Sequence, residues 1–254
     1  MSTSLAFRQW VKAQDNPLSK LVYQAGWMVR HGSLPVVPAI HRPLYKLHCG
    51  VASAWSSLIT ALWTKPLFQS QFEKAPKEMH LYGKGMPYLS GTPKMIIGER
   101  CKVSTQTAIL GRVTGEHQPE LIVGNNVAIG WQTHIAIGTK VHLHNNVYMG
   151  GKNVLAGFPG HPMDPDARAR GEADTEDQIG DIILEDSVWL GMGVAVTAGV
   201  TIGRGTVVAT NSVVTKDLPA NVLAGGVPAR VIRPLFPNES KAELTGNKEE
   251  NNDA

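Results

Sequence analysis

Residues 184–219 read LEDSVW LGMGVA VTAGVT IGRGTV VATNSV VTKDLP, six consecutive blocks of six residues that each open with Leu, Ile or Val. A helix would spread positions six apart around its circumference, and a strand alternates with a period of two, so neither explains this register. A strand of about four residues followed by a two-residue bend does explain it, with the first residue pointing inward. The fifth residue fills the corner, and three blocks close one triangular coil of a β-solenoid. The fifth positions are Val188, Val194, Val200, Thr206, Ser212 and Leu218.

The same period recurs with interruptions nearer the start of the chain. It is found in IGERCKVSTQTA from Ile97, VGNNVAIGWQTH from Val123 and IGTKVHLHNNVYMGGKNV from Ile137. We count about fourteen or fifteen blocks, hence about five coils, which exceeds the three or so repeats that bury a continuous core. Six blocks in one unbroken register disfavour the alternative of ordinary strands in a sandwich. The predicted fold class is therefore mainly β, a β-solenoid.

Composition limits the possible compartments and partners. The 254 residues carry no uncharged apolar run of the roughly 18–20 residues that a transmembrane helix requires, and the start lacks the order of a signal peptide. Only two cysteines are present, Cys49 and Cys101, which is typical of a reducing compartment. We therefore expect a cytoplasmic protein without a nucleic-acid partner. The final stretch, 237–254, is polar and acidic, and we expect a disordered tail there.

The repeat region, about residues 95–233, resembles the hexapeptide-repeat acyltransferases, and in particular sugar O-acetyltransferases of the galactoside, maltose and nodulation type. The resemblance implies a left-handed parallel β-helix, an acetyl-CoA co-substrate, no metal, and homotrimers with a furrow between neighbouring subunits. With it we divide the chain into a helical region at 1–80, a β-helix domain at 81–236 and the tail.

An insertion at 156–182 interrupts the repeat, and a polar loop of this length in a solenoid is either functional or disordered. Its segment GHPMDPDARARG is similar to the G-H-P-x-x-x-x-x-R-x-x-G loop of the family, whose histidine is the catalytic base. The matching residue is His161. An imidazole with an ordinary pKa near 6.5 is mostly neutral at cytoplasmic pH and can remove the proton of an attacking hydroxyl.

Neighbours of His161 in the insertion have predicted supporting roles. Gly160 and Pro162 are expected to free and stiffen the backbone that aims the ring. Asp164, Glu172 and a backbone carbonyl are alternative partners for the second ring nitrogen. Arg168 is a candidate to hold the loop by pairing with one of the aspartates.

The ending TKDLPANVLAGGVPARVIRPL, from Thr215, is similar to the T-K-D-[IL]-P ending of the same family. The resemblance carries the acetyl-CoA contacts onto Thr215, Lys216, Arg230 and Arg233, with Met192 and Thr210 acting largely through backbone atoms. Coenzyme A brings a pyrophosphate and a 3′-phosphate, so a cluster of cations suits it. We expect the small residues Gly191 and Ala209 to let the pantetheine arm lie close, with Trp189 as a wall of the groove.

The front of the chain is predicted to be helical. Leu44, Leu47, Val51, Trp55, Leu58 and Leu62 recur at steps of three and four residues. Two explanations for this stripe stay open: packing against the solenoid or a neighbouring subunit, and peripheral attachment to the inner face of an anionic membrane, since residues 1–80 carry nine Lys/Arg against three acids. This front differs from the small galactoside-type enzymes, and WQT at 131–133 replaces their acceptor asparagine, which leaves the acceptor open.

We rank O-acetylation of a saccharide or polysaccharide-precursor hydroxyl first, with an antibiotic or a nucleotide amino sugar as alternative acceptors. A metal-dependent carbonic anhydrase on the same scaffold would need three converging histidines, for which His134, His142 and His144 are the candidates. A non-catalytic solenoid is a third class.

Overall fold

A computed structural model describes residues 3–32 and 35–236. The chain divides into two compact units, 1–54 and 55–254. The predicted tail, 237–254, lies outside the described residues.

The first unit is helical. Helix α1 spans Thr3–Ala13 and α2 spans Pro17–His31, where Asn16 and Ser19 form a reciprocal capping box. Helix α3 runs from Pro38 to Ile59, so the boundary between the units falls within it. A π-helical turn, Thr60–Thr64, and helix α4, Lys65–Gln69, follow in the second unit. Among the described residues, no helix is both long and apolar enough to cross a membrane.

Three parallel sheets form the faces of a β-helix in the second unit. From β1 to β17, each strand pairs in parallel with the strand three places later, so successive strands pass from sheet A to sheet B to sheet C and back. At the end of the domain β16 pairs with β18 instead, because Leu218 forms only an isolated bridge to Ile202 in sheet C. Sheet A contains β1 (Met79–Tyr82), β4 (Cys101–Ser104), β7 (Ala128–Ile129), β10 (Tyr148–Met149), β13 (Trp189–Leu190), β16 (Val207–Val208), β18 (Val222–Gly226) and the antiparallel β19 (Ala229–Pro234).

Sheet B contains β2 (Tyr88–Ser90), β5 (Ala108–Gly111), β8 (His134–Ile137), β11 (Val154–Ala156), β14 (Ala195–Thr197) and β17 (Val213–Val214). Sheet C contains β3 (Lys94–Ile97), β6 (Glu120–Val123), β9 (Lys140–Leu143), β12 (Ile182–Leu184) and β15 (Thr201–Ile202). We call the three edges of the prism AB, BC and CA, after the sheets that they join.

The period-six prediction is confirmed. The first residues of the blocks, Leu184 to Val214, are at most 1% exposed, and the fifth residues are at most 7% exposed. Both sets fill the interior because each coil lies on the next, so every strand covers its neighbour's apolar side chains. The β-helix has about six turns, one more than the repeat count predicted. Its first turn begins at Met79, where MHLYGKGMPYLS carries no regular period.

Asparagine and aspartate shape the CA edge, as the turn chemistry predicts. Asn126 and Asn146 have positive φ angles of 57° and 58°, a conformation that asparagine tolerates better than most residues. Side chains also link successive turns: the Asn125 amide N–H donates to Asn145 Oδ1 at 2.9 Å, and the Asn145 N–H donates to Asp186 Oδ1 at 2.8 Å. These bonds satisfy backbone donors that the bend leaves unpaired.

Candidate active site

The insertion leaves the prism at the BC edge of the fourth turn, after β11, and returns to it at β12. It contains one short helix, α5 (Pro165–Ala169), and a 3₁₀ turn at Glu176–Gln178. Asp164 caps α5, since its Oδ1 accepts the Ala167 N–H at 2.7 Å, and proline at the first helical position favours the start.

Arg168 holds the segment that follows His161, although not by the predicted ion pair. Its Nη1 donates to the carbonyl oxygens of Pro162 and Met163, at 3.0 Å each. Five guanidinium donors can bridge two adjacent carbonyls, and the α5 turn brings Arg168 back over them. The aspartates of the loop are not its partners in the structure.

A buried ion pair attaches the segment that precedes His161. Arg112, in the loop between β5 and β6 on the same BC edge, donates from Nε to Asp174 Oδ1 at 2.7 Å and from Nη2 to the Asp174 carbonyl at 3.0 Å. The second carboxylate oxygen, Asp174 Oδ2, accepts the Gly160 N–H at 3.1 Å. Both side chains of the pair are at most 6% exposed. The chain from Arg112 through Asp174 to Gly160 therefore ties the loop to the second turn of the prism.

His161 itself stands between these two attachments with its ring exposed. Gly160 has φ +79°, in the left-handed region that favours glycine. Within the described part of the chain, the ring nitrogens of His161 have no hydrogen-bond partner. Of the predicted partners, Asp164 caps α5 and Glu172 accepts from Arg170 Nε at 2.6 Å.

The predicted donor residues lie in two places on the prism. Gly191–Met192 and Ala209–Thr210 are on successive turns of the AB edge, where the Asn211 N–H donates to the Met192 carbonyl at 2.9 Å. Trp189, 52% exposed, stands beside them on the outer face of sheet A.

The same edge continues to the antiparallel end of the domain. Arg230 pairs with Gly225, whose position lies against Ala209, and Arg233 pairs with Leu223. Thr215 and Lys216 lie instead on the BC edge of the sixth turn, the edge that carries the His161 loop. All four of Thr215, Lys216, Arg230 and Arg233 are exposed.

Gly191 has a structural reason to be glycine that the sequence did not reveal. A Cβ at this position would lie 2.7 Å from the backbone nitrogen of Thr210 on the next turn, and one at Gly150 would lie 2.9 Å from the nitrogen of Met192. The AB edge is thus a column of small residues because stacked turns approach closely. The column is Gly130, Gly150, Gly191, Ala209 and Gly225.

The three candidate metal ligands do not converge. His142 and His144 stack with ring centroids 3.9 Å apart at sheet C, whereas His134 belongs to sheet B. Burial, together with His144 and Lys140, lowers the pKa of His142. Across residues 3–32 and 35–236, no group of three His, Cys, Asp or Glu side chains is placed to hold a metal ion.

Arg112 and Asp174 were not found by sequence reasoning. They are 62 residues apart, lie in two separate insertions and belong to no repeat. The loops that carry them follow β5 and β11, which end at the same BC edge two turns apart. The stacking of the turns therefore brings the two loops together.

Comparisons with known proteins identify the class to which this parallel β-helix belongs, that of the hexapeptide-repeat transferases. Residues 181–216 match the family described as bacterial transferase hexapeptide (six repeats). The galactoside O-acetyltransferase of Lactococcus lactis is 33% identical over 152 residues, which are 60% of this chain and 69% of that protein. This chain belongs to the hexapeptide-repeat acetyltransferase family, as the sequence resemblance predicted.

Two further proteins are similar to this chain, one over a shorter stretch of sequence and one at a lower sequence identity. A putative acetyltransferase of Saccharomyces cerevisiae is 34% identical over 49% of this chain, and the chain spans only 61% of that relative's length. The N-acyltransferase AntD of Bacillus cereus, solved with a nucleotide amino sugar and coenzyme A, superposes with a TM-score of 0.54 at 16% identity, over 72% of this chain and 96% of its own. That likeness supports the fold alone.

Proposed function

We propose that this chain transfers the acetyl group of acetyl-CoA to a hydroxyl of a saccharide or polysaccharide precursor. The observation that carries the proposal is the state of His161: an exposed imidazole on a loop fixed from both sides, by Arg168 and by Asp174, at the edge that also holds Lys216. The similarity to a galactoside O-acetyltransferase supports a sugar as the acceptor.

In the proposed reaction, His161 acts as general base. A neutral ring nitrogen removes the proton of the acceptor hydroxyl while its oxygen attacks the thioester carbonyl. The new C–O ester bond forms, the C–S bond breaks, and the imidazolium returns the proton to the leaving thiolate as CoA-SH. Backbone N–H groups of the loop or the nearby edge are the available donors for the oxyanion. The reaction needs no metal ion.

The donor residues have complementary tasks in this proposal. Lys216, Arg230 and Arg233 supply permanent cations for the phosphates, and Thr215 adds a hydroxyl. The pantetheine arm follows the AB edge of the prism, where Met192 and Thr210 offer backbone groups on successive turns. Trp189 forms one wall of the groove. Gly191 and Ala209 have little or no side chain, so the arm can lie close to the backbone of that edge.

Assembly as a homotrimer would join the two edges into one furrow, because the AB edge of one prism could face the BC edge of another. The outer face of sheet B, between the two edges, supports such packing, since most of its outward side chains are small or aliphatic: Ala108, Leu110, Val154, Ala156, Ala195 and Val213. We place the enzyme in the cytoplasm, at the inner face of the membrane, where the helical region meets it.

The test is acetyl transfer from acetyl-CoA by the purified chain to a panel of glycans, together with an amino sugar and an aminoglycoside. We expect ester formation on a glycan, and a loss of about 10²–10⁴ in kcat for His161→Ala. His80→Ala removes another exposed imidazole, on β1, and should leave the rate unchanged. Undiminished transfer by the His161 variant would disprove the base assignment, and exclusive amide formation on the amino sugar would select N-acyl transfer instead.

A further inference from the structure

Helix α3 exposes a continuous apolar face. Ile40, Leu44, Leu47, Val51, Trp55 and Leu58 follow one another at steps of three and four residues, so they share one side of the helix. Leu47, Val51 and Trp55 are 62–65% exposed, and α3 buries none of its residues. An uncovered stripe of this length is unusual on a soluble chain and marks an interaction site.

The charge of the helices selects the kind of partner. Helices α1, α2 and α3 contain no aspartate or glutamate, and residues 1–72 carry seven Lys/Arg against one acid, Asp15. On α3 the cations Arg42 and Lys46 lie opposite the apolar stripe, beside Ser53. A bundle with further copies of these helices would gather cations with no acid to pair them, whereas an anionic surface complements them.

Tryptophan distribution points the same way. Four of the six tryptophans lie in residues 1–63, and Trp27, Trp55 and Trp63 are more than half exposed. Indole rings prefer the boundary between hydrocarbon and water, where one end is apolar and the N–H stays hydrated.

A cleft between α1 and α2 adds an independent observation. It has a volume of about 580 Å³, with apolar walls from Phe7, Val11, Val22 and Trp27. Arg8, Lys12 and Arg30 line the same cleft, and none of the acidic residues that the structure describes does. Apolar walls beside cations that have no ion-pair partner in the described ranges match the chemistry of a phospholipid: an acyl chain next to an anionic phosphate.

We propose that α1, α2 and α3 bind the anionic headgroup layer of a membrane, with the apolar face of α3 lying in the interface. This inference rests on the proposed location of the enzyme and names the lipid chemistry that holds it there. Such a surface would bring the acetyltransferase to acceptors carried on lipid.

The experiment is co-sedimentation of the full chain with vesicles of phosphatidylcholine alone or of phosphatidylcholine with phosphatidylglycerol. We expect binding only to the anionic vesicles, weakened by salt. Arg42→Gln with Lys46→Gln should lower the partition coefficient roughly 30-fold. Val51→Asp should abolish binding, whereas Ser53→Asp, which adds the same charge on the opposite face, should reduce it only about fivefold.

Three outcomes would overturn the inference. The first is equal binding to both vesicle types, and the second is an equal loss of binding for the two aspartate variants. The third is a Val51→Asp protein that binds vesicles normally but has a changed sedimentation mass, because that result would assign the apolar face of α3 to contacts between copies of the chain. Acetyl transfer to a soluble acceptor, measured on the same variants, separates failure of this inference from failure of the proposed activity. The rate of transfer to the soluble acceptor should be unchanged by Val51→Asp and by Ser53→Asp.

Discussion

Two regions of this chain use the same aliphatic residue types with opposite results. In the β-helix, Leu184, Leu190 and Val196 recur every six residues and are fully buried, whereas in α3 Leu47 and Val51 recur every three or four and are more than 60% exposed. Each turn of the solenoid packs against the next turn of the same chain, so the repeat itself buries the apolar side chains. The face of α3 has no repeat to cover it. Apolar periodicity therefore shows that an element has an apolar face. Only the fold shows whether that face is buried and supports stability, or is exposed and can bind a partner.

The strongest test of this comparison truncates one leucine in each region. Leu190→Ala empties a fully buried position, and we expect a loss of about 2–5 kcal/mol in the free energy of unfolding. Urea denaturation followed by circular dichroism measures it. A loss below about 1 kcal/mol would mean that the prism collapses around the cavity and does not depend on each coil.

A second test targets the loop, which is held by an ion pair and not by the repeat. Arg112→Ala leaves Asp174 buried without its cation and frees the Gly160 attachment, so we expect kcat to fall about 10- to 100-fold, with the KM for acetyl-CoA little changed. Steady-state kinetics on an acceptor identified with the glycan panel would show this change. Partial recovery by Arg112→Lys would support positioning, whereas equal unfolding of the whole domain by both variants would assign the pair a structural role only.

A third test asks whether the small-residue column is a requirement of the prism. Gly191→Ala places a Cβ 2.7 Å from the Thr210 nitrogen, and we expect a cost of about 1–3 kcal/mol from overpacking. Thermal unfolding measures this cost, with Ala195→Gly on the neighbouring strand as a control that adds no atoms. Full stability of the Gly191 variant, combined with loss of coenzyme A binding, would show instead that the glycine serves the donor.

The smallest effect belongs to α3. Leu47→Ala removes a side chain that is 63% exposed, and we expect the free energy of unfolding to change by less than about 0.5 kcal/mol. The same urea titration used for Leu190→Ala provides the comparison. A loss of 2 kcal/mol or more by this variant, roughly the size of a core truncation, would mean that the stripe is covered in solution.

Much of the β-helix could be predicted, because period six is imposed by strand and bend geometry at every turn. The repeat located the inward residues and the insertion, and the family loop pointed to His161. The first turn was missed because β1 and β2 lie in a segment without the period. Arg168 was assigned the wrong partner, since the choice between an aspartate and two carbonyls depends on how α5 folds back.

The sequence alone determined the class of fold, the family and the candidate base, because local turn chemistry repeats along the chain and one loop motif interrupts it. Tertiary structure decided what holds that loop, why Gly191 has no side chain, and that the apolar face of α3 is exposed. These depend on distances between residues far apart in the chain, such as Arg112 and Asp174, and no local pattern encodes which turns, edges and loops come to lie against one another.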